Sequence, residues 1–170
     1  MEKSPLKRGF TTIEVIVVVG ILGILLVSSY PAILNTLETR SLENSAREIL
    51  TALQTARFRT IDTKVNHRVR FFQQERGWRY VLEWEREAGT WTAAPGALIK
   101  LIPSKFVVTV NLPDDQCVEY SSVGIIEGYD STRNSIALQS LKLKAKNQPD
   151  LRVLQVYAGG SIRNTKLASG

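Results

Sequence analysis

Residues 15–34 carry no charged side chain, and beyond them the pattern changes twice. From Leu42 the apolar positions recur every three or four residues, at Leu42, Ala46, Ile49, Leu53 and Ala56, with Glu43, Arg47, Thr51 and Gln54 elsewhere on the wheel. That spacing predicts an amphipathic helix laying one stripe on a core. It continues an uncharged run that, at about 1.5 Å per residue, matches one hydrocarbon thickness. Three residues inside the run work against a regular helix. Gly20 and Gly23 have low helix propensity, and Pro31 lacks a backbone donor, so a break or loosening is expected there.

From Val65 the period becomes two. Val65, His67, Val69 and Phe71 alternate with Asn66, Arg68 and Arg70; after a turn at 73–77, Trp78, Tyr80, Leu82 and Trp84 alternate with Arg79, Glu83 and Glu85. Both stretches read as half-buried strands. Further strands are expected at 98–102, 106–110, 117–120, 135–138, 141–145, 151–157 and 161–163. Pro95-Gly96, Pro113-Asp114 and Gly159-Gly160 punctuate them. One long helix followed by many short strands predicts an α+β fold, with the helix packed on an antiparallel β-sheet or sandwich.

Charge adds an orientation. Lys3, Lys7 and Arg8 precede the apolar run, which holds the N-terminus on the cytoplasmic side of a membrane and the remainder beyond it. The formal charge is +6, of which Lys3, Lys7, Arg8 and Glu2 account for +2. The remaining +4 is a weak sign of a nucleic-acid partner. Cys117 is the one cysteine, so no intramolecular disulfide can form, and it is expected as a small buried apolar residue on a strand.

The junction Lys7-Arg8-Gly9-Phe10-Thr11-Thr12-Ile13-Glu14 holds a basic leader, a Gly-Phe pair and a lone carboxylate at the start of the apolar run. A carboxylate at bilayer depth costs roughly 2.5–3.5 kcal/mol on insertion scales, so it needs a partner. An ordinary secretory signal would need a small-residue cut, which Ser28, Ser29 and Ala32 could imitate, but Glu14 is out of place in its apolar core. An unprocessed anchor explains the apolar run without explaining Gly-Phe-Thr-Thr-Ile-Glu. The junction resembles the class III signal of type IV pilins and type II secretion pseudopilins. The resemblance implies cleavage between Gly9 and Phe10 by a prepilin peptidase, methylation of the new N-terminus at Phe10, and Glu14 as the fifth mature residue. It divides the chain into a leader at 1–9, a transmembrane and filament-core half-helix at 10–36 and a periplasmic pilin-like domain at 37–170. It also implies partial melting of the segment between Gly20 and Pro31 in filaments. The pilins' frequent C-terminal disulfide is missing here.

Two later stretches, Tyr120-Ser121-Ser122-Val123-Gly124 and Val156-Tyr157-Ala158-Gly159-Gly160-Ser161-Ile162-Arg163, resemble the GspH/FimT family of minor pseudopilins and minor pilins. That resemblance implies a subunit near the tip of a filament, acting in filament initiation and protein secretion. Its implied partners are other minor subunits, the major subunit and the inner-membrane assembly platform of a bacterium. In such a filament Glu14 would neutralise the Phe10 amine of a neighbour, or that of its own chain. At 4 Å an ion pair gains about 4 kcal/mol at an effective dielectric of 20, against about 1 in water.

No catalytic group, metal site or cofactor is expected. His67 stands alone on a strand, to pack or face solvent. Asp114-Asp115 is explained by a turn, since calcium wants six to eight oxygens. Glu83, Glu85 and Glu87 are expected on one solvated strand face. The alternative function is DNA binding for uptake in natural transformation, through Lys142, Lys144, Lys146, Arg163 and Lys166. Some FimT-type minor pilins bind DNA through Gly-Arg-x-Arg; here Ser161 replaces its first arginine. Alternating lysines also protect an edge strand from pairing with other chains.

Overall fold

The structure, a computed structural model, describes residues 11–75, 77–140 and 150–168. Helix α1 spans Thr12–Thr63, followed by β1 (His67–Gln74), β2 (Gly77–Glu87), β3 (Thr90–Ala93), β4 (Lys100–Leu101) and β5 (Phe106–Asn111). A 3-10 turn at Asp114–Gln116 leads to β6 (Cys117–Tyr120), β7 (Ser135–Ser140), β8 (Asp150–Val156) and β9 (Ile162–Ala168). The fold is α+β, with a long N-terminal helix and antiparallel sheets, as the period change predicts. Two compact units divide the chain, Met1–Leu37 and Glu38–Gly170.

In the first unit the described residues begin at a helix cap. The Glu14 N–H is shared between the Thr11 hydroxyl (3.3 Å) and carbonyl (3.1 Å), which satisfies one of the donors the first turn leaves orphaned. The helix is unbroken through Gly20, Gly23 and Pro31, so the expected break does not interrupt it here. The described large apolar side chains from Ile13 to Leu37 are all exposed, from 47% at Leu34 to 77% at Val27.

The second unit holds the core. Leu42, Ala46, Ile49, Leu53 and Ala56 are each fully buried, as the spacing requires. The helix ends where Lys64 turns left-handed (φ 59°), with its N–H donating to the Thr60 carbonyl. That extra turn is why β1 starts at His67 rather than Val65. One sheet has the order β3-β2-β1-β6, with β4 also on β2; the other runs β5-β7-β8-β9, and every pair is antiparallel. Both sheets feed one core: Leu53 and Ile49 join Phe71, Tyr80 and Tyr120 from the first, and Leu138, Leu154 and Val156 from the second.

Several expectations are corrected. Glu83 is buried rather than solvated, because Arg68 Nε donates to it at 2.7 Å and Arg70 Nε at 2.9 Å. Trp91 closes the group from outside, its ring 4.2 Å from the Arg68 guanidinium carbon. Glu85 binds the Asn66 amide and the Gly89 N–H, and Glu87 is exposed. Strand β3 was not expected, and of 98–102 only Lys100–Leu101 pairs. The strand expected at 141–145 lies outside the described residues.

Candidate assembly surfaces

The apolar half of α1 is the first candidate. Its most apolar 18 residues have mean hydropathy 2.4 and none is buried, so it is long and apolar enough to cross a membrane. Glu14 sits in its first turn. A carboxylate there complements the partial positive charge of the helix start, which is a local reason for its position independent of any neighbour. Gly9 and Phe10 lie outside the described residues.

The second candidate is where the two short C-terminal motifs meet. Arg57 on α1 donates from Nε to the Gly124 carbonyl at 3.0 Å and from a terminal nitrogen to the Gly159 carbonyl at 3.1 Å. Gly124 and Gly160 both have left-handed backbones, φ 81° and 76°. A Cβ on Gly160 would fall 2.2 Å from the Gly124 carbonyl oxygen, and one on Gly124 would fall 2.6 Å from Ile61. Glycine is therefore required at 160 by both space and dihedral, and at 124 by dihedral, since the exposed end of Ile61 can move aside. The motifs mark a junction between the helix and two chain reversals.

Two polar groups fasten the helix to the second sheet. Glu38 is buried, accepting from the Ser140 hydroxyl at 2.9 Å and the Lys105 ammonium at 3.4 Å. Arg152 is buried between Asp150 (3.5 Å) and Glu43 (3.7 Å). The Glu43 carboxyl is held below its ordinary value, first by its hydrogen bond with Arg47. Neither group is visible as a motif; each joins residues more than a hundred positions apart.

Of the proposed DNA contacts, only Arg163 and Lys166 are described, and they do not share a face. Lys142, Lys144 and Lys146 lie outside the described residues. Arg163 and Lys166 are three apart on β9, with unbroken register against β8, so they occupy opposite faces. Lys166 moreover lies 3.9 Å from Asp150. A strand at 161–163, as the sequence pattern predicts, stops short of Lys166 and hides the parity of the two positions, which β9 reveals by running to Ala168.

His67 is 2% exposed, with Nδ1 2.8 Å from the Val65 carbonyl, and burial pushes its pKa down. It packs. Cys117 is half-buried rather than buried, and desolvation raises its thiol pKa. Asp114-Asp115 forms the 3-10 turn, with Asp115 left-handed at φ 46°. Among the described residues no cluster of three or more His, Cys, Asp or Glu side chains could hold a metal ion.

Compared with known protein families, curated proteins and solved structures, the chain matches none.

Proposed function

We propose that this chain is a minor pilin or minor pseudopilin, a structural and non-catalytic subunit at or near the tip of a type IV pilus or type II secretion pseudopilus. The observation that carries the reading is the division of α1. Its first half exposes every described large apolar side chain, while its second half buries a narrow stripe in a β-rich core. A helix built for two surroundings suits a subunit that waits in a membrane and then packs helix against helix in a filament.

The leader fits this role. A prepilin peptidase would cut after Gly9 and methylate Phe10, giving an amine close to Glu14. The protein would sit in a bacterial inner membrane with one pass, N-terminus cytoplasmic and β domain periplasmic. Assembly would then bring it to the platform, other minor subunits and the major subunit. Glu14 pairing with a neighbour's amine would favour docking in register over random burial.

Intact mass of the native protein should show loss of residues 1–9 and gain of one methyl group on Phe10. Glu14→Val should still insert and be cut, because removing a carboxylate eases insertion, but should not enter filaments or tip complexes. Cleavage near Ala32, releasing a soluble domain, would overturn the reading, and normal incorporation of Glu14→Val would remove charge pairing from it.

A further inference from the structure

Along one face of α1, Asn44, Glu48, Thr51, Thr55 and Arg59 recur every three or four residues, off the stripe that enters the core. They form one wall of a groove of about 540 Å³. Tyr80 and Leu82 of β2, with Ala52 of α1, give it an apolar floor, and Gly96, Ala97, Leu98 and Lys100 make the opposite wall. Tyr80 and Leu82 are two apart on β2, and Lys100 is the register partner of Tyr80, so all three stand on the same sheet face. From Asn44 to Arg59 the helix wall runs about 22 Å, the length of roughly six or seven extended residues.

The opposite wall is fastened. The Ala97 N–H donates to the Ala94 carbonyl at 2.8 Å, Arg59 donates across to the Pro95 carbonyl at 3.2 Å, and the Ile102 N–H donates to the Trp78 carbonyl. Leu98 is nonetheless 78% exposed. A large apolar side chain held in solvent on a fastened loop leaves little ordering cost when a partner covers it.

Charge selects the partner. Arg47 also lines the groove but is engaged by Glu43 at 2.6 Å. With that pair set aside, Arg59 and Lys100 face a single carboxylate, Glu48. Lys100 has no ion-pair partner among the described residues. Beside it, the Tyr80 hydroxyl is buried without a hydrogen-bond partner among the described residues, a donor left over in the floor. Burial, and then the Glu48 charge, push its pKa up, so it keeps its proton. Leu82 lies between Tyr80, level with Lys100, and Trp84, whose register partner His67 feels the Arg59 charge. The groove thus has a cation toward each end and apolar surface between them.

We propose that this groove binds an extended segment of a partner protein, seating an apolar side chain on Leu82 and Leu98 and a carboxylate at each of Lys100 and Arg59. Carboxylates two residues to either side of the apolar one share its face in an extended chain and stand about 13 Å apart, within reach of two long cationic side chains. The site lies wholly within the second unit and depends neither on processing of the leader nor on entry into a filament.

The probe is a fluorescein-labelled, end-blocked Glu-Thr-Leu-Thr-Glu peptide, read by anisotropy against the detergent-solubilised full-length chain, beside Lys-Thr-Leu-Thr-Lys. The acidic peptide should bind at least tenfold tighter than the basic one. Lys100→Glu should weaken it about tenfold, whereas Glu48→Gln should tighten it several-fold, a gain that no folding defect produces. Leu98→Ser should weaken it several-fold, and Val123→Ser, at a comparably exposed apolar side chain on another loop, should change nothing. Equal binding of the two peptides, binding of neither, or indifference to the substitutions at Lys100 and Glu48 would overturn the proposal. Displacement by inorganic phosphate as readily as by unlabelled acidic peptide would overturn it too, marking a small-anion site.

Discussion

The two parts of α1 have the same backbone and opposite relations to their side chains. From Ile13 to Leu37 the described apolar side chains all face outward, and composition alone distinguishes the segment. From Glu38 to Thr63 the apolar positions are fewer and their spacing matters, since five of them vanish from solvent completely. The contrast separates what makes a helix from what makes a helix belong to a domain. The first part asks its surroundings to be apolar all round; the second asks for a partner surface on one side.

The same substitution in the two parts puts the largest effect on this contrast. Leu53→Ala should destabilise the second unit by about 2–5 kcal/mol, read as a lower urea midpoint of the detergent-solubilised chain. Leu26→Ala should leave that midpoint unchanged to within about 0.5 kcal/mol, because its side chain contributes to no core. Equal effects would break the comparison.

The two carboxylates provide a finer version. Glu38→Leu removes the acceptor of the buried Ser140 hydroxyl and the partner of Lys105, and should cost about 1–3 kcal/mol. Glu14→Gln keeps a polar side chain in the first turn and should leave the unfolding midpoint of the second unit where it was. A drop with Glu14→Gln would tie the two units together energetically.

The smallest effect is a pH dependence confined to the second unit. Burial lowers the folded-state pKa of His67, so the unfolded chain binds the proton more readily. Its contribution to stability is present above the ordinary value near 6.5 and is lost as pH falls below it toward the folded value. Urea midpoints between pH 7.5 and 5.5 should therefore decline in the parent and decline less in His67→Gln. An equal decline would assign the proton uptake elsewhere.

What the sequence makes legible follows the range of the interactions. The stripe at Leu42, Ala46, Ile49, Leu53 and Ala56 is a local period, and the structure buries each member. Most strands are local alternations and appear within a few residues of where they are expected. Glu83 defeats the same logic, because a period of two cannot announce that Arg68 and Arg70 on the neighbouring strand will neutralise it. Arg57 is likewise silent in sequence: its carbonyl partners lie 67 and 102 residues away. Strand β3 escapes because only Trp91 in it is even half-buried. As for the sites, the proposed leader and the role of Glu14 rest on residue order alone, whereas the spread of Arg163 and Lys166 over two faces required the full extent of β9.

The bonds from Glu38 to Ser140 and from Arg57 to Gly159 each bridge 102 residues, and they set the order in which the molecule can be made. On the ribosome the helix is complete long before the strands that cover it exist. The first sheet can cover part of its stripe early, through Phe71 and Tyr80, but the side that meets Leu138, Leu154 and Val156 stays open until β7 and β8 have emerged, since loop closure over such a span precedes any reward from contact. The outward-facing apolar half needs no such wait, because it has no internal partner to find. A nascent chain would therefore be committed to its surroundings at one end while still unfolded at the other. Anything that shields residues 38–63 during that interval guards the time at which the chain is most prone to aggregate.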